Sequence, residues 1–233
     1  MQKERVLVTG ASGFIGSNLL DYLLEKDYEV IGLSRQKNLP KIHPHLTWIR
    51  ALEELKHDRI DYVVNLAGES IAQGRWTDAR KQKLIASRVE TTTMLYQYLA
   101  KRKIKPKCII SGSAVGYYGI DPTEQWTECC NEQSAPQSIF MSELCQKWEQ
   151  SARQDTSQNT KIIRLGVVFG RGAGILPQML FPIKMNLCGR IGSGWQPVVW
   201  VHIQDVLRAI EFLMLHETTA QVFNVVSPEK VTQ

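Results

Sequence analysis

Val6-Leu7-Val8-Thr9-Gly10-Ala11-Ser12-Gly13-Phe14-Ile15-Gly16 stands almost at the start of the chain. It reads as a short apolar strand, a glycine-rich turn and the first turn of a helix, in that order. Each glycine has its own steric task in such a unit. Gly10 permits the tight turn, Gly13 lets backbone approach a pyrophosphate, and Gly16 lets the helix lie against the strand. The free N–H groups of the helix's first turn then face the phosphates, with Ser12, Phe14 and Ile15 completing the segment. A dinucleotide-binding α/β domain is the fold this stretch predicts.

The rest of the chain keeps the rhythm. Val30-Ile31-Gly32-Leu33, Leu46 to Ile49, Tyr62 to Leu66, Cys108 to Ile110 and Ile162 to Leu165 are short β-branched or apolar runs. Apolar residues recur at helical spacing between them, as in Ile15, Leu19, Leu20, Leu23 and Leu24, or Leu84, Ile85, Val89, Leu95, Tyr96 and Leu99. This alternation predicts a Rossmann-type doubly wound parallel sheet with helices on both faces. One helix is expected from near Asp78 to about Lys103, another from Ile139 to Arg153, and a third from Val206 to Leu215. Asp205 would offset the dipole of that third helix and His202 would be a hydrogen-bonded structural residue. A last strand is expected at Val222 to Val226. Two segments, about 116–137 and 170–196, break the alternation. In an open α/β sheet such excursions after strand carboxyl ends hold substrate.

With 233 residues, 43% hydrophobic and 22% charged, the chain can bury a full core, and a single domain over 1–233 is expected. Its 28 basic residues against 23 acidic are scattered, which suits a small anionic ligand and argues against nucleic acid as a partner. Five cysteines (Cys108, Cys129, Cys130, Cys145 and Cys188) lack C-x-x-C spacing, so neither a disulfide framework nor a metal site is expected, and a reducing cytoplasm fits. No apolar stretch approaches the ~20 residues of a membrane span. The expected partner is a small-molecule substrate of unspecified identity, with homo-oligomerisation left open.

Cofactor choice rests on the end of the second strand. An NAD site places a carboxylate there for the ribose 2′-hydroxyl. This chain has Ser34-Arg35 instead, and a guanidinium pairs with a 2′-phosphate, so NADP(H) is expected. At the end of the fourth strand, Ala67 and Gly68 are small enough for backbone to approach the adenosine half.

The spacing T-G-x-x-G-x-x-G resembles the fingerprint of extended short-chain dehydrogenase/reductases. Asn65-Leu66-Ala67-Gly68-Glu69-Ser70, Arg75-Trp76, Ser87-Arg88, Ser111-Gly112-Ser113-Ala114-Val115-Gly116-Tyr117-Tyr118-Gly119, Trp148-Glu149, Gly192-Ser193-Gly194 and Trp200-Val201-His202-Ile203 look like the atypical YfcH-like epimerase family, described as NAD(P)-dependent epimerase/dehydratase-like. The resemblance runs from about Val6 to Pro228. It implies that Leu66, Ala67, Gly68, Glu69, Arg88 and the strand end around Val167 line the cofactor. Members continue for several further helices, so part of a C-terminal substrate-side lid is expected to be absent.

Short-chain dehydrogenases pair a tyrosine with a lysine four residues later, whose ammonium lowers the phenol's pKa. The only such spacing here, Tyr22 to Lys26, lies on the first helix, at the end away from the strand carboxyl termini, and reads as a decoy. Lining up Trp148-Glu149 puts Met141 and Cys145 at the dyad positions. Ser113, at the end of the fifth strand, matches the substrate-polarising serine, and Tyr117 or Tyr118 just beyond it is the expected proton donor, with Glu69 or Lys147 as auxiliaries. Arg75, Trp76 and Trp195 would shape a substrate pocket. Two functions follow: hydride transfer at a hydroxyl or keto carbon, as in an oxidoreductase or epimerase, or a non-catalytic NADP(H)-binding sensor or scaffold.

Overall fold

A computed structural model describes residues 2–36, 39, 41–56, 59–72, 74–124, 129–171, 174–187, 189, 192–229, 231 and 232. Cys188 and parts of both excursions, residues 125–128, 172, 173, 190 and 191, lie outside the described residues.

Seven parallel strands form the sheet: β1 (Arg5–Thr9), β2 (Glu29–Leu33), β3 (Leu46–Ile49), β4 (Tyr62–Asn65), β5 (Cys108–Ala114), β6 (Thr160–Leu165) and, after two shorter strands, β9 (Val222–Val225). Their order is β3-β2-β1-β4-β5-β6-β9, so the chain reverses direction of growth at β1, between β2 and β4. A crevice opens at such a reversal, beyond the strands' carboxyl ends. Register is set by pairs such as Val8 with Gly32 and with Val64.

Helices α1 (Phe14–Glu25) and, later, α5 (Ile203–Leu215) cover one face, where Leu19, Leu20, Leu23, Val206, Leu207 and Ile210 pack on Val6, Val8, Val64 and Ile110. Helices α2 (Asp78–Arg102) and α3 (Phe140–Ala152) cover the other, with Leu95, Tyr96 and Leu99 on Leu7, Val63 and Ile109. Both faces of the strands are therefore apolar, as parallel sheets require. Among the described residues between β3 and β4, a 3-10 turn, Leu52–Glu54, takes the place of a helix. The second excursion contains the short helix α4 (Leu176–Lys184), and it is flanked by β7 (Val167–Phe169) and β8 (Trp200–His202), which form a separate two-stranded parallel sheet. Neither of these strands is signalled by the sequence, because three residues are too few for periodicity to register. His202 caps α5 by accepting from the Gln204 N–H at 3.3 Å, and Asp205 lies in the first turn.

Several polar groups are buried in this core, and two sets of them fasten its elements together. Asn65 at the end of β4 accepts from the Thr9 hydroxyl at 2.6 Å and donates to Thr92 at 2.9 Å and to Ser111 at 3.4 Å, tying β1, β4, β5 and α2 at one point. Lys161, on β6, donates to the carbonyls of Leu213 (2.7 Å) and His216 (2.6 Å), satisfying the carboxyl end of α5.

Replacing Asn65 by leucine keeps volume but leaves the Thr9 proton and two hydroxyl acceptors without their partner. Each such loss costs about 1–3 kcal/mol, so with three of them Asn65→Leu is expected to lower unfolding free energy by about 3 kcal/mol or more. Chemical denaturation followed by circular dichroism measures it, and an unchanged midpoint would show that the network is not stabilising.

Candidate functional site

The β1–α1 turn leaves no space for side chains except on one side. Gly10 has φ +65°, and a Cβ there would fall 2.6 Å from the Leu66 carbonyl oxygen. At Gly16 a Cβ would stand 2.3 Å from the Gly10 oxygen. Gly13 differs: its added Cβ meets only the Gly10 oxygen, at 3.1 Å, so a larger side chain would extend into the crevice. Gly13 is also the N-cap of α1. No side chain caps that terminus and no acidic residue lies in its first turn. Backbone donors and the positive end of the helix dipole are thus presented to the crevice with nothing to neutralise them, which fits a pyrophosphate.

The crevice is a groove of about 1210 Å³. Of the residues expected to hold cofactor, Gly10, Ser12, Gly13, Ser34, Arg35, Leu66, Ala67, Gly68 and Glu69 line it. Ser12 and Ser34 share a 2.7 Å hydrogen bond between hydroxyls, and Ser34 Oγ also accepts from the Gln36 N–H at 3.2 Å. Ser34 is therefore buried fastening the glycine loop to the end of β2. Arg35 next to it is exposed and lines the groove. Arg50, at the end of β3, lines the same region and went unnoticed in the sequence. Two cations beside a 2′-position and no carboxylate at the end of β2 suit a 2′-phosphate.

The other expected cofactor residues are placed away from the groove lining. The Phe14 ring lies over the loop after β7, where it would meet a Cβ on Gly170 at 2.8 Å and on Gly174 at 3.0 Å, and Ile15 packs into the core. Both therefore offer backbone N–H groups only. Gly16 serves helix packing. Val167 opens β7, where its N–H donates to Val199 at 2.7 Å. Arg88 is buried beneath Gly68, and burial lowers its pKa. Its Nη2 donates to the Glu69 carbonyl at 2.9 Å while Ser87 Oγ accepts from the Glu69 N–H at 3.1 Å, so α2 fixes the ribbon leaving β4 at both polar groups of one residue. The Glu69 carboxylate pairs with Arg80 and Lys83, and those hydrogen bonds hold its pKa below the ordinary value.

The residues expected to be catalytic have other partners. Ser113 is 2% exposed and donates its proton to Glu149 Oε1 at 2.7 Å. Glu149 is held in turn by Arg164, whose Nε and Nη2 reach its two oxygens at 2.8 and 2.9 Å. Arg164 is buried. Burial alone would weaken its hold on its proton, but hydrogen bonds to Glu149 and Tyr118 outweigh that and the net shift is upward. The Tyr118 hydroxyl accepts from Arg164 at 2.9 Å and donates to Asn224 on β9 at 2.7 Å. The Tyr117 ring lies on the guanidinium, with its centroid 3.4 Å from Cζ. Rather than facing the cofactor groove, Tyr117 lines a separate depression of about 540 Å³ with Gln146, Gln150 and Arg153 of α3. The tyrosine pair is thereby enlisted to desolvate and hold Arg164. Met141 and Cys145 face the end of β5 at Gly116, and burial pushes the Cys145 thiol up to about 11.

Tyr22 donates to Glu211 of α5 at 2.5 Å, with Lys26 3.6 Å from the same carboxylate. Burial and Glu211 push the phenol up to about 12, the wrong direction for a proton donor near neutral pH. Trp76 stands edge-on to Phe140, 5.7 Å between centroids, and Trp195 is exposed; neither lines the groove. Arg164 escaped the sequence reading, and Glu149 entered it only within Trp148-Glu149 and without a role, although an arginine inside the apolar run of β6 was the available signal that a buried counter-charge exists.

Because a side chain at residue 13 would extend into the crevice, Gly13→Val is expected to keep a native circular dichroism spectrum and to weaken binding of a nicotinamide dinucleotide by at least tenfold. Titration followed by nicotinamide fluorescence checks it, and retained affinity would place the ligand elsewhere.

Residues 6–226 match the model of the NAD dependent epimerase/dehydratase family. An epimerase family protein of Staphylococcus saprophyticus is 36% identical over 230 residues, covering 97% of this chain and 76% of its own. One from Staphylococcus epidermidis is 33% identical over the same length, covering 97% and 75%. Among solved structures, human epimerase family protein SDR39U1 (isoform 2) with NADPH superposes with TM-score 0.85 at 34% identity, covering 98% of this chain and 76% of that one. A nucleoside-diphosphate sugar epimerase from Corynebacterium glutamicum gives 0.79 at 26% identity, covering 99% and 48%. UDP-glucuronic acid 4-epimerase from Bacillus cereus, in complex with UDP-glucuronic acid and NAD, gives 0.79 at 20%, a likeness of fold alone. With the glycine turn, the parallel sheet and a match over nearly its whole length, this chain belongs to the NAD-dependent epimerase/dehydratase family, within the extended short-chain dehydrogenase/reductases.

Proposed function

We propose that the groove binds NADP(H), and that the chain moves hydride between this cofactor and a hydroxyl or keto carbon of a small molecule. The observation that carries the cofactor reading is the uncapped terminus of α1 with Arg35 exposed at the end of β2, where a carboxylate would favour NAD. The NADPH held by the human relative supports the same choice. When bound, the cofactor supplies or accepts the hydride. Gly10 and Gly13 hold its pyrophosphate, and Arg35 its 2′-phosphate.

The protein's contribution to proton handling differs from that of a tyrosine–lysine dyad. Ser113 donates its only O–H to Glu149, which leaves its oxygen with lone pairs; although it is 2% exposed and not part of the groove lining, the role assigned to it here is to accept from a substrate hydroxyl at the end of β5. Tyr117, stacked on Arg164, acts by keeping that arginine on Glu149. Tyr117 and Tyr118 have a guanidinium, Arg164, and not a lysine ammonium beside them, so general-acid help of ~10²–10⁴-fold is forgone and turnover is slow. The same commitment of Ser113 supports a second reading, an NADP(H)-binding sensor or scaffold without chemistry.

NADPH is expected to bind at least tenfold more tightly than NADH, and Arg35→Glu to remove or reverse the preference, since one charge-assisted phosphate pair contributes about 1.5–3 kcal/mol. Calorimetric titration of both cofactors decides it: equal wild-type affinities would defeat the Arg35 assignment. Single-turnover NADPH oxidation across carbonyl and nucleotide-sugar compounds, with Ser113→Ala as control, separates the two readings. Turnover that survives in Ser113→Ala would remove the serine from the chemistry, and none on any compound favours the sensor.

A further inference from the structure

Two neighbouring cysteines, Cys129 and Cys130, stand in the first excursion, and both are exposed. The other two described cysteines are placed differently. Cys108 is buried beneath α5, where its thiol donates to the Leu213 carbonyl at 3.7 Å, and Cys145 is buried on α3. Burial pushes each of these thiols up to about 11, which keeps them protonated and unreactive. Among the described residues, the thiols that solvent reaches are therefore gathered in one dipeptide.

That dipeptide adjoins a stiff turn. The Asn131 N–H donates to Ser134 Oγ at 2.9 Å, the Asn131 carbonyl accepts from the Ser134 N–H at 3.0 Å, and the Asn131 side chain accepts from the Gln133 N–H at 3.0 Å. Glu132, inside the turn, is fixed to two strands. Its carbonyl accepts from Arg164 Nη1 on β6 at 3.2 Å, and its Oε1 accepts from the Asn224 N–H on β9 at 2.8 Å. Cys130 is bonded directly to Asn131, so a change of backbone at the pair is delivered to a segment that is held at both strands.

We propose that Cys129 and Cys130 form a reversible oxidation site, at which a hydroperoxide converts the two thiols to a disulfide between adjacent residues, and that closing this ring works against the Glu132 anchor. One thiolate attacks the peroxide: an S–O bond forms, the O–O bond breaks, and the leaving oxygen is protonated to water or an alcohol. The second thiolate then attacks the sulfenic sulfur, forming S–S while S–O breaks and hydroxide leaves to become water. Two electrons pass from the sulfurs to the peroxide. No other part of the chain has to approach, because the second sulfur is one peptide away. The product is strained. Adjacent Cα atoms across a trans peptide are about 3.8 Å apart, whereas disulfides usually join Cα atoms about 4.4–6.8 Å apart. A strained, exposed disulfide is readily reduced, so a small dithiol restores the pair. The same strain falls on the backbone beside Asn131 and loosens Glu132 from Arg164.

The test treats the reduced full chain with hydrogen peroxide, alkylates it under denaturing conditions and maps the cysteine peptides by mass spectrometry. The peptide holding Cys129 and Cys130 is expected to lose two hydrogens and take no alkyl group, and to take two alkyl groups after dithiothreitol. Cys108 and Cys145 are expected to be alkylated throughout. Two alkyl groups on the peroxide-treated pair, added oxygen that dithiothreitol does not remove, or a disulfide to another cysteine or another chain each overturn the proposal. Thermal unfolding reads the anchor. Loss of one hydrogen bond to a charged group lowers the midpoint of a chain of this size by about 3 °C or more, and dithiothreitol is expected to restore it. The Cys129→Ser/Cys130→Ser double variant, conservative at two exposed positions, is expected to keep its midpoint through the same peroxide treatment. An oxidised wild type with an unchanged midpoint, or a double variant that falls equally, overturns the action on Glu132.

Discussion

The structure hangs on two contacts too close for a methyl group. Gly16 touches the Gly10 carbonyl, and Gly10 touches the carbonyl of Leu66, so helix α1, the phosphate turn and the exit of β4 are pressed into one unit. Side chains at either glycine would push α1 off the sheet or β4 away from β1. Because the turn and the β4 exit are fixed to each other, the free N–H groups of α1 and the ribbon at Ala67 and Gly68 face the same space. The Asn65 network sits directly behind this contact and keeps β1, β4 and β5 level at their carboxyl ends.

That unit was legible because steric necessity leaves few residue choices. Gly10, Gly13 and Gly16 announce the turn, and runs such as Tyr62–Asn65 announce strands buried on both faces. Helix bounds were likewise readable, α2 starting at Asp78 and α3 falling within the expected 139–153 span. What could not be read was the pairing of charges. Arg88 on a helix looks like any surface arginine until Gly68 and Trp148 are found on top of it. Lys161 and Arg164 interrupt the apolar pattern of β6, but their acceptors, the end of α5 and Glu149, lie 15 to 55 residues away in sequence. Composition and spacing carry no information about such partners.

The same difficulty governs Ser113 and Tyr117. Position along the chain locates them at the end of β5, as expected, and says nothing of hydrogen-bond direction. The structure supplies that: the serine's proton and the tyrosine's ring are both drawn into the Glu149–Arg164 pair. A buried ion pair of this kind is costly to desolvate and worthwhile only if its hydrogen bonds are complete. Ser113, Tyr118 and the Glu132 carbonyl, which accepts from Arg164 at 3.2 Å, complete them. The pair links α3, β6 and the first excursion, and through Tyr118 it reaches Asn224 on the edge strand β9.

The 3-10 turn between β3 and β4 has a kinetic consequence. A full helix there would stand against the groove opposite α2; among the described residues a turn takes its place, and the groove is lined by Arg35, Arg50, Lys83, Lys101 and Arg102 together with Glu53, Glu69 and Glu90. The proposed anionic dinucleotide would therefore approach a lining in which cations outnumber carboxylates. Capture by such a lining is governed by diffusion and steering, so its rate falls steeply with ionic strength while the dissociation rate, set by contacts at the glycine turn, changes little.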